Sequence, residues 1–140
     1  MDIRPLSPGY AVSPQIDPSD AAAIRDAGFT LVINNRPDYE IEPGQQDAVM
    51  RQAIEAAGLS YVSNPITSAD GITEENVQAQ RAAIEAAGSG RVLAYCASGN
   101  RSSIVWARAM AGTATPDALI AAAARHGYNL ERFRALLSGA

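Results

Sequence analysis

Three stretches of this chain repeat one pattern. Ala21-Ala22-Ala23-Ile24-Arg25-Asp26-Ala27-Gly28 leads into Phe29-Thr30-Leu31-Val32-Ile33. Arg51-Gln52-Ala53-Ile54-Glu55-Ala56-Ala57-Gly58 leads into Leu59-Ser60-Tyr61-Val62. Arg81-Ala82-Ala83-Ile84-Glu85-Ala86-Ala87-Gly88 leads, past Ser89 and Gly90, into Arg91-Val92-Leu93-Ala94-Tyr95. Each reads as a helix, a glycine after its C-cap and a short buried strand. The three glycines stand 30 residues apart, a spacing that suits one helix and one strand. Right-handed crossovers between such units produce a parallel sheet covered by helices. Alanine-rich helices look alike with or without duplication, so the period specifies architecture rather than ancestry.

Other signals complete the outline. An earlier strand is expected at Tyr10 to Ser13, ending near Gln15. Helix starts are marked by Asp17-Pro18, by Pro43-Gly44 and by Thr73-Glu74-Glu75-Asn76. After Cys96 the pattern is helical: Ser102 to Ala111, a helix from Thr115-Pro116-Asp117 to about Arg125, and Asn129 to Leu137. Apart from the alanine bias there is no low-complexity segment and no linker. The 140 residues therefore predict a single α/β domain, residues 1–140, with three layers. Its central parallel sheet has about four to five strands flanked by helices.

Composition narrows the function. The formal charge of -4 argues against nucleic acid as a partner, because phosphate backbones are bound by basic surfaces. Every cationic side chain but His126 is Arg, a bias that reads as genomic. No run of about eighteen apolar residues suggests a membrane span, and Met1-Asp2-Ile3-Arg4-Pro5 lacks the pattern of a signal peptide. The cytoplasm is the expected compartment. With one Cys and one His, neither an internal disulfide nor a multi-cysteine metal site is expected, and no cofactor.

The chemistry is concentrated in Val92-Leu93-Ala94-Tyr95-Cys96-Ala97-Ser98-Gly99-Asn100-Arg101-Ser102. A buried strand ends at Cys96, and five residues follow it up to and including Arg101, where a helix begins. Successive N–H groups of such a loop point inward and form an anion-binding nest, reinforced by the helix dipole. Ala97, Ser98, Gly99, Asn100 and Arg101 are the candidate anion-binding residues, and Gly99 lets the loop bend. A thiolate at the base of a nest is stabilised and nucleophilic. Arg101 can clamp two oxygens of a tetrahedral anion, and Ser102 can donate a hydrogen bond to the sulfur. The competing reading makes Cys96 a small buried residue at a strand end.

This run resembles the Cys-x5-Arg signature loop of the cysteine-dependent protein phosphatases. Beyond the loop, Phe29 to Glu40 (including Asn34-Asn35-Arg36-Pro37-Asp38), Asn64-Pro65-Ile66, and Ala121 to Leu130 with His126-Gly127-Tyr128 are similar to a bacterial group. That group is the phosphatase-like domain found alone or fused to a β-lactamase-like hydrolase, also labelled a sulfur transferase. The resemblance implies a dual-specificity-phosphatase-like fold and a phosphocysteine formed at Cys96. It further implies a small anionic or phosphorylated substrate, and a β-lactamase-like hydrolase as a partner in trans.

Two departures accompany the resemblance. Phosphatases carry His before the Cys, where this chain has Tyr95. Their general acid is an Asp on a loop after the preceding strand. Asp70, in Thr67-Ser68-Ala69-Asp70-Gly71, occupies the equivalent segment and would protonate the leaving alkoxide, unless it is only a turn residue. Arg36 follows the second strand and is a candidate for binding the anionic substrate, or a surface ion-pair partner. His126, near a helix C-terminus, reads as structural, and Trp106 as core.

Two chemistries therefore compete. The first is hydrolysis of phosphomonoesters. The second is sulfur transfer, because rhodanese loops run Tyr-Cys-x-x-Gly-x-Arg-Ser, the form of Tyr95 to Ser102, and would carry a Cys96 persulfide. A redox- or anion-sensing module built on a low-pKa thiol is the non-enzymatic alternative, weakened by the lack of a second Cys to resolve a sulfenic acid.

Overall fold

Val92, Leu93, Ala94 and Tyr95 alternate between two separate apolar cores, because successive strand side chains face opposite sides of a sheet. The strand that carries them therefore lies at the centre of a three-layer domain. The computed structural model describes residues 1–139. Its strands are β1 (Arg4–Ser7), β2 (Tyr10–Ser13), β3 (Phe29–Asn34), β4 (Ser60–Ser63) and β5 (Arg91–Tyr95). They form one sheet in the order β1-β2-β5-β3-β4. Four are parallel, and β1 runs antiparallel to β2.

The helices are α1 (Ala21–Asp26), α2 (Asp47–Ala56), α3 (Glu74–Ala87), α4 (Asn100–Ala109) and α5 (Pro116–Ala124). One face of the sheet, presenting Ala11, Val32, Leu93 and Tyr95, packs on Ile24 of α1 and on Met50 and Ile54 of α2. The other face, presenting Val12, Ile33, Val92 and Ala94, packs on Val77, Ile104, Leu119 and the C-terminal Phe133 and Leu137. Trp106 belongs to this second core and stacks on Tyr10 with ring centroids 5.9 Å apart. Leu93 is fully buried, and truncation to Ala would cost about 2–5 kcal/mol.

The helix-glycine-strand units form as the sequence predicts. Gly28 and Gly58 follow the C-caps of α1 and α2 in the left-handed region, at φ 96° and 90°. Gly88 is itself the cap of α3. Thr73 caps that helix reciprocally with Asn76, as the Thr-x-x-Asn spacing suggests. Two elements differ from expectation. The edge strand β1 was not foreseen, since Pro5 and Pro8 around so short a run disguise it. The expected helix at 129–137 is a 3₁₀ segment, Glu131–Leu137.

Candidate active site

Parallel strands that share a direction bring their carboxyl ends to one edge of the sheet, where ligands bind in α/β folds. Here the segments leaving β2, β3, β4 and β5 meet at that edge. The Gln15 amide donates to the Ala97 carbonyl, the Asn35 amide to Tyr95, and the Ile66 amide to Asn35. Cys96 emerges from β5 at the centre and is 1% exposed.

The loop turns back on the cysteine. Gly99, at φ 93°, is the N-cap residue of α4 and donates its N–H to Cys96 Sγ at 3.1 Å. Asn100 donates its amide to the Ser98 hydroxyl, and Ser103 returns both its amide and its hydroxyl to the Gly99 carbonyl. Among the described residues, the amides of Ala97, Ser98, Arg101 and Ser102 donate to no protein acceptor. These are the groups that a bound anion would use. Four residues separate Cys96 from Arg101, so the spacing is Cys-x4-Arg. That corrects the Cys-x5-Arg implied by the phosphatase resemblance by one residue, and it is the rhodanese-type spacing.

Arg101 is oriented by an acid that sequence reasoning had not singled out. Its Nη1 and Nη2 donate to Glu40 Oε2 and Oε1 at 2.7 and 2.8 Å, and Nη1 donates also to the Ile66 carbonyl at 2.8 Å. Three of the five guanidinium N–H bonds are thus committed. The two that remain, on Nε and Nη2, lie side by side along one edge of the plane, the geometry that grips an oxyanion at two points. The Glu40 carboxylate, and then the Cys96 sulfur, push Arg101 above its ordinary value against the effect of burial.

Arg36 joins the same group. Its Nε donates to Glu40 Oε1 at 3.1 Å, its Nη2 to the Glu40 carbonyl and its Nη1 to Gln15. Glu40 thus lies between two guanidinium groups. Arg101, and secondarily Arg36, hold its carboxyl below the usual glutamate value, with burial opposing. The i to i+4 spacing of Arg36 and Glu40 is the one sequence signal that could have revealed this acid.

Ser102 departs from expectation. Its fully buried hydroxyl donates to Asn35 Oδ1 at 2.9 Å, so its single proton is not available to the sulfur. Asn35 and Gln80 exchange a reciprocal pair of amide hydrogen bonds at 3.0 and 3.1 Å. Gln80 also receives Asn64 Nδ2 and donates to Tyr10, whose hydroxyl donates to the Ser102 carbonyl. This network is the polar floor of the loop. Tyr95 turns its ring into the core beneath α1 and α2, with its hydroxyl buried and unpartnered. Burial pushes its phenol up.

Asp70 stands apart. It lies in the 3₁₀ turn Ala69–Gly71, its carboxylate is largely exposed, and it pairs with Arg132 at the surface. The structure brings together Cys96, the loop residues Ala97, Ser98, Gly99 and Asn100, Arg101 and Arg36. It leaves Asp70 exposed and paired with Arg132, and it commits the Ser102 hydroxyl to Asn35.

Comparison with known proteins places the chain among relatives of the same fold. A family model described as the phosphatase-like domain of beta-lactamase hydrolase-like protein matches residues 2–113. The beta-lactamase hydrolase-like protein of Xylella fastidiosa strain Temecula1 is 33% identical over 135 residues, covering 94% of this chain and 31% of the relative. The chain therefore spans about a third of the length of the curated relatives it matches. A candidate phosphatase from Neisseria meningitidis superposes with a TM-score of 0.78 at 35% identity, over 98% of this chain and 96% of that one. TpbA of P. aeruginosa, solved with phosphotyrosine, shares the fold at a TM-score of 0.63 and 18% identity, over 99% and 91% of the two chains. Among the described residues, no helix is long and apolar enough to cross a membrane.

Proposed function

The chain belongs to the phosphatase-like domain family of the beta-lactamase hydrolase-like proteins, and on that premise we propose that it is a cysteine-dependent hydrolase of phosphomonoesters with Cys96 as its nucleophile. One observation carries the reading. The Gly99 amide meets Cys96 Sγ at 3.1 Å while Glu40 leaves Arg101 one free two-donor edge beside the same loop. A donated N–H favours the charged form of a sulfur, and a fixed fork of donors favours a trigonal array of phosphoryl oxygens as charge redistributes.

In this reaction Cys96 Sγ attacks phosphorus, a P–S bond forms, and the ester P–O bond breaks. The loop amides and Arg101 hold the non-bridging oxygens throughout. Water then attacks the phosphocysteine, releasing phosphate and the thiolate. Of the carboxyl groups considered for the leaving oxygen, Glu40 is held ionised and Asp70 pairs with Arg132 at the surface. Aryl esters, whose phenol has a pKa of about 10 and leaves as phenolate, are therefore the substrate class proposed. Alkyl phosphates would react far more slowly.

A second reading is favoured by the Cys-x4-Arg spacing and by the same pairing of Glu40 and Asp70 with arginines. Cys96 would take the outer sulfur of thiosulfate, expel sulfite and pass the persulfide sulfur to an acceptor thiol or cyanide. The test assays wild type and Cys96→Ser with p-nitrophenyl phosphate and, in parallel, with thiosulfate plus cyanide. Cys96-dependent nitrophenol release supports the hydrolase. Thiocyanate alone replaces it with the sulfur transferase, and undiminished turnover by Cys96→Ser removes Cys96 from both.

A further inference from the structure

The peptide between Ser98 and Gly99 is held from both sides. Its N–H points at Cys96 Sγ. Its carbonyl points the opposite way and accepts from the Tyr128 hydroxyl at 2.7 Å. A trans peptide is planar with its C=O and N–H antiparallel, so anchoring the oxygen on one side fixes the hydrogen on the other. Tyr128 reaches this position from the segment after α5, 30 residues further along the chain and beyond the residues that the family model matches. A Cβ on Gly99 would collide with the Tyr128 hydroxyl oxygen. The phenol thus rests directly on the glycine, and only a residue without a side chain admits it.

Arg4 completes the arrangement from β1. Its Nη1 donates to the Tyr128 oxygen at 2.6 Å and reaches the Ser98 carbonyl at 3.5 Å, while its guanidinium carbon lies 5.5 Å from the centroid of the tyrosine ring. The phenol accepts from a cation on its outer side and donates inward, an order in which each hydrogen bond polarises the next. His126 ties the same segment to β1 through the Pro5 carbonyl at 2.8 Å.

We infer that Tyr128, braced by Arg4, is a positioning residue that sets the orientation of the 98–99 peptide and so keeps the Gly99 amide on the cysteine sulfur. The inference rests on the reading of Cys96 as the nucleophile. Without the hydroxyl, the Ser98 carbonyl keeps only the long contact to Arg4, and because Gly99 tolerates both signs of φ the peptide can rotate. A rotated peptide would aim the Ser98 carbonyl, a negative dipole end, at the sulfur and the bound anion.

The test is the pH profile of alkylation of Cys96, the single cysteine, by iodoacetamide in the full chain. Tyr128→Phe removes one oxygen and no charge. Its profile should move toward alkaline pH by about one unit, a tenfold loss of thiolate at a given lower pH, with thermal unfolding little changed. Turnover should recover as pH is raised. A profile that superimposes on wild type overturns the inference, because a hydroxyl that only packs would leave the profile in place. Should Tyr128→Phe fail to fold, Arg4→Leu at high salt, where through-space effects are screened, must shift the profile in the same direction by less. No shift there is equally fatal. The two proposals fail separately. Undiminished turnover in Cys96→Ser would end the nucleophile reading, whereas a wild-type profile in Tyr128→Phe ends only the positioning role.

Discussion

Glu40 and Arg101 meet end to end, carboxylate oxygens on the two terminal guanidinium nitrogens at 2.7 and 2.8 Å, although 61 residues separate them in the chain. The pair is mostly shielded, with side chains 21% and 11% exposed. Because the acid occupies the terminal edge, the other edge faces the loop in a fixed orientation.

Replacing Glu40 by Gln keeps the shape and one acceptor but removes the charge-assisted pair. Arg101 should then sample other orientations. Against the Cys96-dependent substrate, kcat/KM should fall by about tenfold to a hundredfold, corresponding to about 1.4–2.7 kcal/mol of transition-state stabilisation. Steady-state kinetics on the purified variant checks this. An unchanged kcat/KM would mean that Arg101 needs no orienting.

The same pair makes stability depend on pH. The Glu40 carboxyl titrates below its ordinary value of 4.5, through the Arg101 hydrogen bonds first. Its contribution is complete above 4.5 and is lost as pH falls through the lowered folded-state value, because below it both folded and unfolded chains carry the proton. Urea unfolding midpoints should therefore drop on acidification in this range, and more steeply in wild type than in Glu40→Gln. Parallel curves for the two proteins would count against the pair as a source of acid lability.

Asp70→Asn should leave Cys96-dependent turnover within about twofold of wild type. An exposed pair such as Asp70 with Arg132 contributes about 0–1 kcal/mol to stability, so melting should hardly move. A large loss of kcat on an alkyl phosphate, with aryl substrates spared, would show that this turn closes over the loop and delivers an acid.

Gln80→Leu removes the hub of the loop's polar floor. Asn35, Asn64 and Tyr10 would each lose a partner in a buried setting, and unsatisfied buried groups cost about 1–3 kcal/mol apiece. Denaturant unfolding should show a loss of about 2–5 kcal/mol, since the three share one relaxation. A loss below about 1 kcal/mol would mean that the floor readily rearranges.

Much of the architecture was legible because its causes are local. Helix period, a positive-φ glycine and a run of β-branched residues act within a few positions, so Gly28, Gly58 and the strands Phe29–Asn34 and Arg91–Tyr95 could be read directly. The short edge strand Arg4–Ser7 could not, for its pairing to Tyr10–Ser13 is what makes it a strand at all. The nucleophile candidate was legible for the same local reason: Cys96 ends a buried strand, and Gly99 and Arg101 follow at fixed offsets.

What surrounds that sulfur was decided by tertiary structure. Ser102 stands beside Arg101 in the chain, yet the first turn of its helix points it down to Asn35 rather than toward Cys96. Asp70 follows the strand that should deliver an acid, yet its exposed carboxylate pairs with Arg132. Glu40 and Tyr128 lie in stretches that carry the family resemblance yet received no role from it, and each acquires one only when packing brings it to a partner 61 or 30 residues away in the chain. The sequence by itself determined the layers, the loop and the chemistry-bearing thiol, because backbone preference and apolar period are short-range. The direction in which each side chain offers its charge or proton depends on neighbours that only the closed fold supplies.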